Sequence, residues 1–428
     1  MIDIAILREN PEAVKENMRK KFQDHKLHLV DEVVALDKEY REVLTKASDL
    51  RAMRNRLSKE IGQFMREGKK AEAEENKRQV TSMADELKSL EEKENELAPK
   101  IREIMMKIPN FIDDSVPIGK DDSENVEIQK YGDPYVPEYE IPYHADIIEN
   151  LNGLDKASAG RTSGNGFYYL MGDIARLSSA MLSYARDFMI DKGFTYCIPP
   201  FMIRSDVVTG VMSFDEMEAM MYKIEGEDLY LIGTSEHSMI GKFKDQIIKE
   251  DELPITLTSY SPCFRKEVGA HGIEERGIYR VHQFEKQEMV VLCKMEDGME
   301  WYNKMWSYTV ELFRHLNIPV RTLECCSGDL ADLKVKSCDV EAWSPRQQKY
   351  FEVGSCSILG DAQARRLSIR AKGKEGNYYV CTLNNTVLAS TRAIIAFIEN
   401  NYNADGTINI PEALRPYMGG KTKIEKRK

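Results

Sequence analysis

The stretch Ser261 to Glu288, SPCFRKEVGAHGIEERGIYRVHQFEKQE, places cations, glycines and carboxylates between two runs rich in β-branched and aromatic residues, Ile255 to Arg265 and Tyr279 to Leu292. Between the runs, Val268 to Gly277 holds three glycines and clustered charge, the composition of a loop. Residues two apart in a strand share a face. Arg265 and Glu267 therefore share one, and His282, Phe284, Lys286 and Glu288 share another. Such a hairpin offers cations to phosphates, a ring to a base, and a carboxylate to an ammonium or hydroxyl. It is the chemistry of a polyphosphate-binding site. From the hairpin alone, an exposed, salt-bridged surface element remains open as an alternative.

Three further segments carry polar groups suited to such a site: TSE at Thr234 to Glu236, EVGSCS at Glu352 to Ser357, and TLNNTVLASTR at Thr382 to Arg392. FRKE, a glycine-bearing loop and GIYRVHQFEKQE together resemble the second signature motif of class II aminoacyl-tRNA synthetases, in the form used by seryl-tRNA synthetases. A helical N-terminal arm, GFTYCIPP, and the three segments just named follow in the family's order, so the resemblance spans nearly the whole chain. It implies ATP-dependent attachment of serine to tRNA(Ser) through a seryl-adenylate, and serylation of tRNA(Sec) where that tRNA is present.

Residue by residue, the resemblance implies that Arg265 bridges the substrate carboxylate and the α-phosphate, with Arg392 clamping the γ-phosphate. These two are the expected catalytic residues. Glu267, Arg280 and Phe284 match positions at the adenine and phosphates of ATP, and Glu352 and Ser355 match a pair that binds Mg²⁺ carried with ATP. Thr234, Glu236, Glu288, Asn384 and Thr386, with Arg265, match the serine pocket. The chain departs from the family pattern at Gly354, where serine is usual, at Cys381 for histidine, and at Asn385 for glycine.

These residues need a scaffold, and the arm is its most regular part. Apolar residues from Val33 to Phe64 (Val33, Leu36, Tyr40, Val43, Ala47, Leu50, Met53, Leu57, Ile61, Phe64) recur at steps of three and four. A second seam runs from Val80 to Ile108, broken at Glu94. REGKKA, from Arg66, separates them, so the pattern predicts an antiparallel coiled-coil hairpin with roughly 38 residues, or roughly 57 Å, per limb. The segment Arg51 to Arg78 carries nine Lys/Arg against five Glu in a chain of net charge −11. Arg51, Arg54, Arg56, Lys59, Lys69, Lys70 and Lys77 are placed to track a phosphate backbone, although an oligomerisation coiled coil fits the same periodicity. In the family the matching arm holds the long variable arm of tRNA, which makes these seven the expected tRNA contacts.

A length of 428 residues argues for more than one domain. The expected division is a tRNA-binding domain at 1–108, a linker at 109–136 and an α+β catalytic domain at 137–428, built on an antiparallel sheet flanked by helices. The expected elements include a helix from Ile174 to Ile190, a strand FTYCIPPFMI, and a strand Tyr378 to Leu383 followed by a helix carrying Val387 and Leu388 on its core face. In the family the first two build a dimer interface, which implies a homodimer with tRNA bound across subunits. No apolar run is long enough to span a bilayer and no signal sequence opens the chain, so the expected location is the cytoplasm, with no membrane partner. The eight cysteines lack zinc spacing, and no zinc is expected. A noncatalytic paralogue would have lost its phosphate clamps, whereas Arg265, Glu352 and Arg392 are present. Relatives that charge a carrier protein lack the long arm.

Overall fold

The computed structural model describes residues 1–267 and 277–426. All of Val268 to Gly277 except its last glycine, and the last two residues of the basic tail KTKIEKRK, lie outside the described residues. The chain divides into two compact units, Ile2–Pro109 and Asn110–Lys428.

In the first unit, α1 (Ile4–Glu9) and α2 (Pro11–Lys20) precede two long helices, α3 (His28–Arg66) and α4 (Lys70–Met105). Asp3 and Asn10 accept hydrogen bonds from the first turns of α1 and α2, and Pro11, which lacks an N–H, opens α2 where none is needed. The limbs reverse at Gly68, whose φ of +76° suits a residue without a side chain. Val33, Val43, Ala47 and Leu57 of α3 are buried, as are Leu87, Leu97 and Ile101 of α4.

Met53, expected in the seam, is instead 42% exposed. A two-helix hairpin has one interface, and a side chain rotated off it meets water. Glu94, which breaks the second seam, is matched by Arg51, which lies 3.8 Å from Glu94 and 3.1 Å from Glu91. Arg51 thus cross-links the limbs, while Arg54, Arg56, Lys59, Lys69, Lys70 and Lys77 are exposed.

The second unit is built on an eight-stranded sheet. Its strands are β1 (Val126–Tyr131), β2 (Thr195–Cys197), β3 (Ile255–Phe264), β4 (Gln283–Cys293), β5 (Val320–Glu324), β6 (Lys336–Ser344), β7 (Lys349–Gly360) and β8 (Cys381–Ala389). They lie in the order β1-β5-β6-β7-β8-β4-β3-β2. Every pair is antiparallel except β2 with β3. The sheet packs against α5 (Gly172–Asp191), α6 (Ser235–Gly241), α7 (Gly298–His315) and α8 (Ser390–Asn401).

Alternation along β4 divides the interior. Met289 and Val291 join the large core that holds Leu177 and Met181 of α5 and Phe313 of α7. Val290 and Leu292 join a second core with Met239 and Ile240 of α6. Lys286 and Glu288 continue the parity of Val290 and Leu292 and so emerge beside α6.

Further sequence expectations change in this unit, among them the single strand expected from Tyr378 to Leu383, which divides at Val380 into Gly376–Tyr379 and the start of β8. The stretch 109–136, expected as a linker, contributes edge strand β1, which pairs with β5. FTYCIPPFMI breaks into β2 and a separate short strand, Met202–Ile203, because two prolines remove ladder donors between them. Val387 and Leu388 belong to β8 rather than to a helix. Strand β3 ends at Phe264, and Glu267 has φ +46°, so Arg265 and Glu267 sit in irregular backbone beyond the strand rather than on one strand face.

The first unit also contains a buried charge. Asp37 of α3 is 1% exposed; it accepts two hydrogen bonds from Arg8, at 2.7 and 2.8 Å, and one from Arg41 at 2.9 Å. The Arg8 guanidinium holds its carboxyl below the usual range, so the stabilisation is fully present above that range and is lost as pH falls from it through the carboxyl's own lowered value. Asp37→Asn is expected to destabilise this unit by about 2 kcal/mol at pH 7, read as faster hydrogen exchange in α1 to α3 of the full chain.

Candidate active site

A cavity of about 470 Å³ opens on the α6 side of the sheet. Its wall brings together Thr234, Glu236, Arg265, Glu267, Arg280, Phe284, Glu288, Glu352, Ser355, Asn384, Thr386 and Arg392. Strand β4 supplies Phe284 and Glu288 by simple alternation. His282, assigned to the same face from sequence, lies before the strand begins; its ring packs against Phe167, with centroids 5.3 Å apart, and its Nδ1 lies 3.0 Å from the Arg265 carbonyl.

Glu352 and Ser355 are three residues apart and would face opposite sides of a regular strand. The register between β6 and β7 shifts so that Glu341 opposes Glu352 while Val340 opposes Gly354, leaving Val353 as an extra residue. This bulge restores Glu352 and Ser355 to one face, shared with Asp339, which is paired with Ser355. The donors are a carboxylate and a hydroxyl, with a second carboxylate alongside. This hard oxygen set fits Mg²⁺. A bulge at Val387 acts similarly on β8, where Asn384, Thr386 and Ala389 all line the cavity.

At one end, each cation has a carboxylate or ring beside it. Arg265 donates from Nε to the Gly233 carbonyl at 3.1 Å, and its guanidinium lies 5.3 Å from the Phe284 ring. Arg280 reaches Glu267 at 3.3 Å. Arg392, in the first turn of α8, donates to the carbonyl and carboxylate of Glu352 at 3.1 and 2.8 Å, with its guanidinium 4.8 Å from the Tyr279 ring.

The other end is more enclosed. Thr234 caps α6, accepting from Glu236 N at 3.3 Å. Glu288 is 1% and Lys286 5% exposed, and the two form an ion pair. Burial, then the neighbouring Glu288, push the Glu236 carboxyl up to about 7. Burial, then Arg265 and Lys286, take His237 down to about 3, so its ring is neutral, and its Nδ1 has no hydrogen-bond partner among the described residues.

Sequence reasoning did not assign His237, Lys334, Asp339 or Gln363. Lys286 was legible from its parity with Glu288. His237 adjoins TSE, but nothing in its spacing marks it. Lys334 and Asp339 arrive from β6 and the turn before it, where no motif pointed. Cys325, Asp329 and Asp339 bring ligand-capable atoms within 4.8 Å. Burial, then Asp339, push the Cys325 thiol up, which keeps it protonated.

The departures from the family pattern have structural explanations. A Cβ on Gly354 would lie 3.2 Å from the Thr386 carbonyl, so a side chain there requires the neighbouring strand to yield. Asn385 points away from the cavity and donates to the Met305 carbonyl at 2.7 Å and to Thr309 at 2.9 Å. Cys381 is buried opposite Cys293.

The chain matches two family models: the seryl-tRNA synthetase N-terminal domain over residues 1–112, and the class II tRNA synthetase core domain for G, H, P, S and T over residues 220–401. The serine-tRNA ligase of Methanospirillum hungatei is 39% identical over 98% of this chain and 99% of its own length. That of Thermococcus sibiricus is 41% identical over 98% and 97%. Among solved structures, seryl-tRNA synthetase from Pyrococcus horikoshii complexed with ATP matches with TM-score 0.94 and 39% identity, covering 100% of both chains. Cytoplasmic serine-tRNA ligase from Naegleria fowleri in complex with AMP matches with TM-score 0.88 and 31% identity, covering 100% of this chain and 99% of the other. With one family model on the arm, another on the sheet and relatives aligned end to end, the chain belongs to the seryl-tRNA synthetase family.

Proposed function

We propose that the protein activates L-serine with ATP and transfers it to tRNA(Ser), and to tRNA(Sec) where that tRNA is present. The observation that carries this reading is one cavity with three arginines at one end and two carboxylates at the other, Glu288 buried and Glu236 half-buried. In the first step a serine carboxylate oxygen attacks the α-phosphorus of ATP. The bond to the bridging oxygen breaks, pyrophosphate leaves, and a mixed anhydride remains. A tRNA hydroxyl then attacks the carbonyl carbon, releasing AMP.

Both substrates are anionic where they react, and Arg265, with its planar fork, suits contact with the serine carboxylate and α-phosphate together. Arg280 and Arg392 neutralise the outgoing phosphates. Glu352 and Ser355 would hold Mg²⁺, which supplies further charge neutralisation when bound. Phe284 offers its ring to adenine, and Glu267 an acceptor for the adenine amino group. Glu236, Glu288, Thr234, Asn384 and Thr386 surround the amino acid, giving acceptors to its ammonium and partners to its hydroxyl.

The exposed basic side chains of α3 and α4 provide phosphate contacts for tRNA. We propose a homodimer with tRNA bound across subunits, acting in the cytoplasm. Tyr169, 44% exposed, lines a second hollow of about 640 Å³ with Leu182, Tyr196 and Tyr260, and Met171, Ile190, Ile198 and Met202 are each at least 42% exposed. Apolar surface of this kind suits a subunit contact. No helix among the described residues is long and apolar enough to cross a membrane.

ATP/pyrophosphate exchange tests the activation step. Serine is expected to support it and alanine to fall short by roughly 10⁴-fold, because the hydroxyl partners would be left unpaired. Arg265→Ala is expected to lose roughly 10²- to 10³-fold in rate. Exchange with threonine or alanine equal to that with serine would overturn the assignment. Deleting Leu29 to Lys107 should leave serine-dependent exchange while abolishing tRNA charging, and equal charging by both forms would remove the arm from tRNA binding.

A further inference from the structure

Glu236 is held from outside the cavity. Its Oε1 accepts from Gln363 Nε2 at 2.8 Å. Gln363 is fully buried in the short helix Ala362–Leu367 and lines no part of the cavity. The same nitrogen donates to the Val211 carbonyl at 3.1 Å, while Oε1 of Gln363 accepts from the Thr382 hydroxyl at 2.6 Å. Chemistry fixes which way this amide points. A carboxylate and a backbone carbonyl can only accept, so the NH₂ must face them, and the oxygen is left for Thr382. Turning the amide over would set oxygen against oxygen twice.

We propose that Gln363, anchored by Thr382 and Val211, is a positioning residue for amino-acid selection that fixes the Glu236 carboxylate as an acceptor for the substrate ammonium. This rests on the reading of the enclosed end of the cavity as the amino-acid site. Glu236 needs such support because of its surroundings. Burial and Glu288 push its carboxyl up to about 7, while Gln363 and the cations Lys286 and Lys334 pull it down. The neighbouring His237 stays neutral and contributes no charge. Glu236 therefore titrates near neutrality, and an N–H donated to its charged form favours ionisation. As pH falls through 7 the carboxylate is lost and ammonium affinity weakens. Without the donor, that loss begins at higher pH.

The test is serine-dependent ATP/pyrophosphate exchange from pH 6 to 9 with Gln363→Met, which keeps side-chain length and removes the donor. Serine KM is expected to rise about tenfold at pH 7.5 with ATP KM within about twofold, and the pH of half-maximal kcat/KM for serine to move upward. Thr382→Val should shift both in the same direction by less, and should add nothing in the Gln363→Met background. If Gln363→Met does not fold, the Thr382→Val pH profile is decisive alone. Equal rises in both KM values, or an unchanged serine KM and pH profile in a folded variant, would overturn the inference. Wild-type protein inactive with serine would instead defeat the proposed function.

Discussion

The ion pair of Lys286 with Glu288 is the interaction around which the cavity is built. Either charge alone, so removed from water, would cost several kcal/mol, and together they remain tolerable only in good geometry. Because the pair occupies alternate positions on one central strand, its placement depends on β4 keeping register with β3 and β8. A slip of one residue would drive both charges into the large apolar core. Glu236 then adds a second carboxylate beside an already committed ion pair, which explains why its partners come from several elements. The arginine end obeys a gentler version of the same rule. Arg280 and Arg392 each already have a carboxylate, so a polyphosphate exchanges one set of anionic partners for another rather than meeting bare charge.

How far the sequence disclosed this arrangement follows from periodicity. Phe284, Lys286 and Glu288 lie on an uninterrupted strand, and counting by twos brings them together. The same count fails for Glu352 and Ser355, because a bulge is decided by the ladder with β6 and leaves no mark on the chain's own alternation. Only the family resemblance pointed to them. Val387 and Leu388 were assigned to a helix because apolar residues just before a helix fit either period. Gln363 was illegible for a different reason: its importance lies in contacts with Val211, Glu236 and Thr382, all distant in sequence.

In the arm, seams at steps of three and four were enough to predict two helices, but not which residues each would cover. Met53 fits the period and still meets water, while Glu94 breaks it and is accommodated by Arg51. The same contact changes the meaning of Arg51 as a basic residue. Its charge is partly spent within the hairpin, unlike that of Arg54, Lys59 and Lys70, whose side chains have no partner among the described residues. A count of local charge therefore overstates what the hairpin has to offer a polyanion.

The bulges at Val353 and Val387 lie close together, with Gly354 against the Thr386 carbonyl between them. Bulges bend their strands and increase the local twist, so part of the hollow belongs to the backbone and not to the side chains that fill its wall. Shape and chemistry can then diverge over evolutionary time. A descendant that lost its arginines would keep a concavity of about the same curvature, ready for recruitment by a ligand unrelated to ATP.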